Sequence, residues 1–284
     1  MKLSKIFALL LALCLISSAA CAATFTDAHG NVIELDDSLE AYAAVTLVGA
    51  DNAARQGETN LGDLWADALR WFAVSGEINA AFDEDDVKAG NDRIAVGADH
   101  VVALWNGGNL RADIAEGTFG AEALAEVLPF PNKVAVVYMT GAQLLETLEA
   151  ASQGLPYTAE TADACASLMQ VSGLTYTVDT TKAYDALEAY GDHWFTAGSV
   201  SRVRIDDVNG QPFDAEATYA VVTSNANFTG MDSSYVLKAA AAANEQSAVT
   251  TAVVRDVVFR FIAAELNHQV GEAYAAPQGR LTVL

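Results

Sequence analysis

The chain is short of positive charge, of cysteine and of long apolar runs, and each shortage removes a class of function. Only 15 lysines and arginines stand against 37 acidic residues, for a formal net charge of −22. Nucleic-acid binding rests on neutralising phosphates with a basic surface, so a field of this sign repels such partners. Its ordinary consequence is solubility and colloidal stability outside the cell. Of the three cysteines, Cys14 and Cys21 lie in the N-terminal stretch and Cys165 stands far from both, so no intramolecular disulfide framework can form once a leader is removed. The one long apolar run, residues 6–16, falls short of the roughly 20 residues that span a bilayer, and no later segment is long and uncharged enough to do so. No glycine-rich loop of the nucleotide-triphosphate kind is present. No Ser-His-Asp or Cys-His arrangement can be assembled, and Cys165 lies in a polar stretch without an evident activating base.

What is there begins with an address. Lys2 and Lys5 precede the apolar run, and small residues fill positions 17–23, the pattern of a secretory leader over residues 1–22. The segment Ala20-Cys21-Ala22 reads as an A-x-A cleavage site, while Ser18-Ala19-Ala20-Cys21 reads as a lipobox without its usual aliphatic residue. The protein is therefore expected to be exported, whether secreted, periplasmic or at the cell surface, and membrane contact is expected only through lipidation of Cys21.

With 52% hydrophobic residues, the remaining chain can build one large domain or two small ones. Residues 24–47 alternate polar and apolar positions around the turn signal His29-Gly30-Asn31, as a hairpin leading into a strand does. From Glu58 the period becomes helical: Leu61, Leu64, Trp65, Ala68, Leu69 and Phe72 share one face, with Thr59 or Asn60 as the cap. Residues 101–105 read as a buried strand ending in the turn Asn106-Gly107-Gly108-Asn109. Residues 122–127 read as a short helix and 134–139 as a strand. Thr140 and Gln143 form a capping box opening a helix over 142–151. Residues 152–167 read as a loop and 171–178 as one strand. Two more strands, 200–206 and 218–223, bracket Asn209-Gly210-Gln211-Pro212. A long final helix is expected over 247–269, with Val253, Val257, Phe261 and Leu266 on one stripe, then a strand at 280–284. No repeat or flexible linker interrupts the pattern, so one α/β domain with mixed strands is the simplest architecture.

Four motifs occur in order: Arg55-x-x-Glu58-Thr59-Asn60-Leu61-Gly62-Asp63; Asn106-Gly107-Gly108-Asn109-Leu110-Arg111-Ala112-Asp113-Ile114; Leu128-Pro129-Phe130-Pro131-Asn132 with Met139-Thr140-Gly141-x-Gln143-Leu144; and a run from Asn225 to Asp232. In this order and spacing they resemble the C-terminal, substrate-recognition domain of the 5′-nucleotidase family, which also includes UDP-sugar hydrolases and cyclic-nucleotide phosphodiesterases. The likeness runs from about residue 45 to the end, where Gly279-Arg280-Leu281 is similar to the family's last strand. It implies an α/β (α+β) fold of mixed sheets and packed helices, with residues 45–284 as a single domain behind the leader and a lead-in over 23–44.

The resemblance also implies roles. Arg55 and Arg111 match family arginines that face the nucleotide, since a guanidinium fork suits phosphate or carboxylate oxygens; the alternative is that they are ion-pair partners in a very acidic chain. Asn106 matches a polar contact beside the base, and Asp232 the carboxylate that takes the ribose hydroxyls. Asn60, Gly62, Gly107 and Gly108 are expected to shape a cap and a turn. The family sandwiches the base between two phenylalanines, and the matching positions here are read as Leu168 and Ala226, which cannot stack; Phe228, two residues on, is the candidate substitute.

Full-length relatives also carry a metallophosphatase domain with two divalent metal ions. Only residues 23–44 separate the leader from the region of likeness, and His29, His100, His193 and His268 have no metal-ligand context. Asp99-His100, the nearest approach to a metal pair, reads as a polar strand entry. The expectation is a chain with no catalytic residue, metal or cofactor of its own. Three functions follow: a binding module for a nucleotide or nucleoside; the substrate-binding component of a 5′-nucleotidase whose metallophosphatase is a separate chain; or a scaffold that has lost its ligand.

Overall fold

The computed structural model describes residues 23–26, 32–35, 40–82 and 94–284. The leader, Cys21 and the turn at His29 lie outside these residues. Among them the first elements are an antiparallel hairpin of β1 (Ala23–Thr26) and β2 (Val32–Leu35), followed by β3 (Glu40–Ala43), α1 (Ala53–Gln56) and α2 (Asn60–Val74). The α2 cap is Thr59, whose side chain accepts from the Gly62 N–H at 3.0 Å, which satisfies one of the donors a helix leaves open at its first turn. Its apolar face is fully buried from Leu61 to Phe72.

The frame of the molecule is a five-stranded mixed sheet. It is built from β4 (Val101–Asn106), β6 (Lys133–Thr140), β7 (Met169–Ser172), β12 (Thr218–Ser224) and β13 (Ala248–Val253) in the order β13-β6-β12-β4-β7. Only β4 and β12 run parallel; the other pairs are antiparallel. Successive side chains on a strand point to opposite faces, and here both faces are covered. Val101, Ala103 and Trp105 enter one core together with α2, with α3 (Ala121–Val127) and with α7 (Val254–Leu266). Val102 and Leu104 enter a second core with α4 (Gly141–Ala151) and α6 (Tyr235–Ala243). A strand covered on both sides reads as an unbroken apolar run, which is what Val101 to Trp105 is. The Trp65 and Trp105 rings, tilted at 6.2 Å between centroids, tie α2 to this strand.

Smaller sheets extend the second core and close the ends. β8 (Leu174–Val178), β11 (Val203–Val208) and β15 (Leu281–Val283) form one sheet, and β5 (Gly117–Gly120) and β14 (Gln269–Val270) flank β3 in another. β9 (Ala186–Tyr190) and β10 (Trp194–Ala197) form a separate hairpin, and α5 (Asn225–Phe228) is one turn at the end of β12. Thr140 and Gln143 close a full capping box on α4. Two sequence expectations are corrected. Residues 171–178 are two strands, broken where Gly173 takes φ 80°. The helix expected over 247–269 begins only at Val254, because the β-branched run Val249-Thr250-Thr251 joins the open edge of β6.

The turn after β4 is set by contact. A Cβ at Gly107 would overlap the Ala54 carbonyl, and the Gly107 N–H donates to Leu168 O at 2.7 Å. Residues 278–281 are clasped to α2 by acids. The Gln278 N–H donates to both Glu58 Oε1 (2.8 Å) and Asp63 Oδ2 (3.0 Å), and the Leu281 N–H donates to Glu58 Oε2 at 2.9 Å. Arg280 forks onto Asp67 with two contacts of 2.8 Å. Burial pushes the Asp63 carboxyl up to about 8; Arg280, 3.8 Å away but committed to Asp67, pulls it down only in part, and neighbouring Glu58 raises it further. Burial thus favours the neutral form of Asp63 in the folded protein.

Two outcomes are expected. Gly107→Ala lowers unfolding stability by about 1–3 kcal/mol in urea titration, the range for forcing atoms into filled space. Because the Asp63 pKa is raised on folding, its contribution to stability is complete below the unfolded carboxylate value of 3.8 and is lost as pH climbs to about 8. Asp63→Asn should remove that slope, so that wild type loses ground to the variant between pH 5 and pH 9; parallel stability curves for the two proteins would show that Asp63 is ionised when folded.

Candidate functional site

The sheet gathers four chain segments at one end. Parallel pairing of β4 with β12 puts Asn106 and Ser224, the last residues of the two strands, at the same side. Antiparallel β7 starts there, with Met169 opposite Asn106, and antiparallel β6 starts there, with Val134 opposite Ser224. The turn 107–109, the stretch 128–132, the segment 164–168 and the segment 225–232 therefore share one rim. In open α/β sheets such a rim, outside the carboxyl ends of parallel strands, is where ligands bind.

A cavity of about 420 Å³ opens on this rim, lined among others by Asn106, Asn109, Arg111, Phe130, Ala226 and Asp232. A relay of amides fixes its polar wall. Asn109 Nδ2 donates to Asn106 Oδ1 at 2.9 Å, which leaves the Asn106 amide nitrogen to donate to Asp232 Oδ2 at 2.9 Å. Asn106 and Asn109 are buried. Asp232 holds a left-handed backbone, φ 54°, uncommon outside glycine but adopted more readily by Asp and Asn than by other residues. Burial raises the Asp232 carboxyl above its ordinary value, and Arg55, the Asn106 amide and Arg111 each hold it down. Asp232 lines the cavity beside Asn106.

The two arginines differ. Arg111 is exposed at the mouth, its guanidinium 5.8 Å from the centre of the Phe130 ring, within cation–π range. Desolvation and repulsion from Arg55 lower its pKa, and Asp232 raises it. Arg55 lies behind the rim, donating from Nη1 to Ala162 O at 2.9 Å and standing 3.9 Å from Asp163. It reaches the cavity through its field.

Asn106, Arg111 and Asp232 thus share one cavity, with Arg55 beside it. Phe228 is placed elsewhere, half-buried against the second core. Leu168 is wholly buried in that core, so its side chain faces away from the cavity, and the neighbouring Ala166 lines it instead. The aromatic at the rim is Phe130, 44% exposed. In the sequence it stands within the Leu128–Asn132 motif with no role assigned; a large apolar ring between Pro129 and Pro131, where neither helix nor central strand can run, is the available signal. Asn60 and Asp113 serve the backbone: Asn60 accepts from the Val48 N–H, and Asp113 accepts from Gly49 and Ala50.

Among the described residues no group of three or more histidines, cysteines or acids is placed to hold a metal ion. His100 contacts Asp99 at 3.2 Å and stacks on Tyr219, while His268 turns its Nδ1 toward Glu40 O.

The chain is similar to several known proteins. It is 29% identical over 188 residues to the trifunctional nucleotide phosphoesterase protein YfkN of Bacillus subtilis (strain 168), covering 65% of this chain and 10% of that protein. Its fold matches the 5′-nucleotidase precursor from Thermus thermophilus with a TM-score of 0.61 at 28% identity, over 86% of this chain and 39% of that one. The NAD nucleotidase of Haemophilus influenzae shares the fold, with a TM-score of 0.55 at 16% identity over 86% of this chain and 38% of its own. The chain thus spans about a tenth of the curated relative and about two fifths of these structures. The profile of the 5′-nucleotidase C-terminal domain matches residues 40–239, and the chain belongs to that family.

Proposed function

We propose that this chain is an exported recognition module for a nucleotide or nucleoside and does not hydrolyse phosphoesters by itself. The observation that carries the reading is the relay Asn109–Asn106–Asp232, which aims a carboxylate acceptor into a cavity edged by Arg111 and Phe130. A vicinal diol needs a fixed acceptor pair. An anionic group needs a guanidinium. A heterocycle needs one flat apolar face, which Phe130 offers. The rest of the lining holds Ala226 and Met231 and no second aromatic ring, so base contact is one-sided and selectivity among bases is weak. Relatives named for nucleotide phosphoesterase, 5′-nucleotidase and NAD nucleotidase activity support the ligand class.

The chemistry of phosphate release has no donor set in the described residues, and a separately encoded metallophosphatase chain is the partner that supplies it when hydrolysis occurs. Export rests on the leader-like residues 1–22. Among the described residues no helix is long and apolar enough to cross a membrane.

Calorimetric titration with adenosine, AMP, UMP and UDP-glucose tests the reading. Heat is expected with AMP and UMP at comparable affinity. Arg111→Ala should weaken AMP by about tenfold or more, the scale of a lost charge-assisted hydrogen bond, and adenosine much less. Silence with all four ligands favours a scaffold. Phosphate release from AMP with added manganese should be nil for the isolated chain and appear only with a metallophosphatase partner; turnover by the chain alone refutes the division of labour.

A further inference from the structure

The β9–β10 hairpin belongs to none of the larger sheets, yet it is bonded to both loops that border the cavity. On one side the Tyr190 hydroxyl donates to Gly230 O at 2.6 Å, two residues before Asp232. The Tyr190 ring lies 5.6 Å from that of Tyr235, three residues after Asp232. Tyr235 in turn accepts from the Ala197 N–H of β10 at 2.9 Å and donates to Glu146 of α4 at 2.9 Å. On the other side Trp194 Nε1 donates to Ala164 O at 3.2 Å, next to the stretch that brings Ala166 to the cavity. Gly230 takes φ 93°, and a Cβ there would overlap the Tyr190 hydroxyl, so the approach of the tyrosine depends on glycine at 230 twice over.

The bonds bracket Asp232. Its left-handed backbone needs surrounding contacts to hold it: local backbone bonds from Gly230, Met231 and Ser234 and the Asn106 amide supply part of them, and the hairpin adds the Tyr190 bond at 230 and the Tyr190–Tyr235 contact. We propose that the β9–β10 hairpin is a strap across the binding rim, and that Tyr190 is a positioning residue that holds the 230–232 segment so that the Asp232 carboxylate meets the hydroxyls of a vicinal diol. The proposal rests on the reading of Asp232 as the ligand's acceptor. Tyr190 itself touches no ligand; it acts through the Gly230 carbonyl.

Amide hydrogen exchange of the ligand-free protein is the test, because it does not require the ligand to be known. In Tyr190→Phe, amides of residues 230–234, including the Met231 N–H bonded to Ala226 O, should exchange about three to ten times faster, the equivalent of one lost hydrogen bond, while α2 and the central sheet stay as in wild type. Gly230→Ala, which displaces the tyrosine from the other side, should give the same pattern. Unchanged exchange in both variants overturns the strap. A second arm compares AMP with its 2′,3′-dideoxy analogue. Tyr190→Phe should weaken AMP by about three to ten times and leave the analogue nearly as in wild type; an equal loss for both overturns the assignment to Asp232. Should wild type bind neither compound, the nucleotide reading falls and the exchange pattern alone decides the strap.

Discussion

The parallel pairing of β4 with β12 is the interaction on which the rest depends. Residues 101–106 and 218–224 lie far apart in the chain and meet with Ala220, Val221 and Val222 set against Val101, Val102 and Ala103. Parallel strands deliver their ends to one side, and antiparallel β6 and β7 start where those two finish. Four distant stretches become one rim through this register alone. A shift of one residue would turn Val101, Ala103 and Trp105 toward the opposite core, and Asn106 would no longer face Asp232. Burial on both faces makes such a slip costly, so the packing that stabilises the sheet also aims the polar wall.

That wall is built for a chain with excess negative charge. Asp232 is a partly buried carboxylate among many acids, and it stays available as an acceptor because Arg55, Arg111 and an oriented amide share its surroundings. The arginines divide their labour by anchoring. Arg55 is held by a backbone carbonyl, whereas Arg111 is exposed beside the Phe130 ring. At the rim the two arginines stand against the carboxylates of Asp232 and Asp163, so charge there is balanced locally within an acidic chain.

Much of this was legible where physics is local. The six-residue stripe of α2, the Thr59 cap and the Thr140–Gln143 box depend on neighbours within four positions, and motif order marked which stretches would meet. Legibility failed where distant partners decide. Val249-Thr250-Thr251 carries only a weak local preference against helix; the open edge of β6 makes it a strand. Leu168 and Phe130 differ in burial because one faces the second core and the other the rim, a distinction that alignment by motif does not carry. The β9–β10 hairpin had no signal at all, since residues 186–197 mix exposed apolar and polar positions and their purpose lies in contacts with residues 153, 164, 230 and 235.

The acid clasp has a consequence for the order of events in synthesis. Glu58, Asp63 and Asp67 on and before α2 are satisfied by Gln278, Arg280 and Leu281, more than 200 positions later. A helix made early therefore keeps three carboxylates without these partners until residues 278–281 have been made. Contacts of such long sequence separation form late and slowly, so the nascent domain stays open while it is being made.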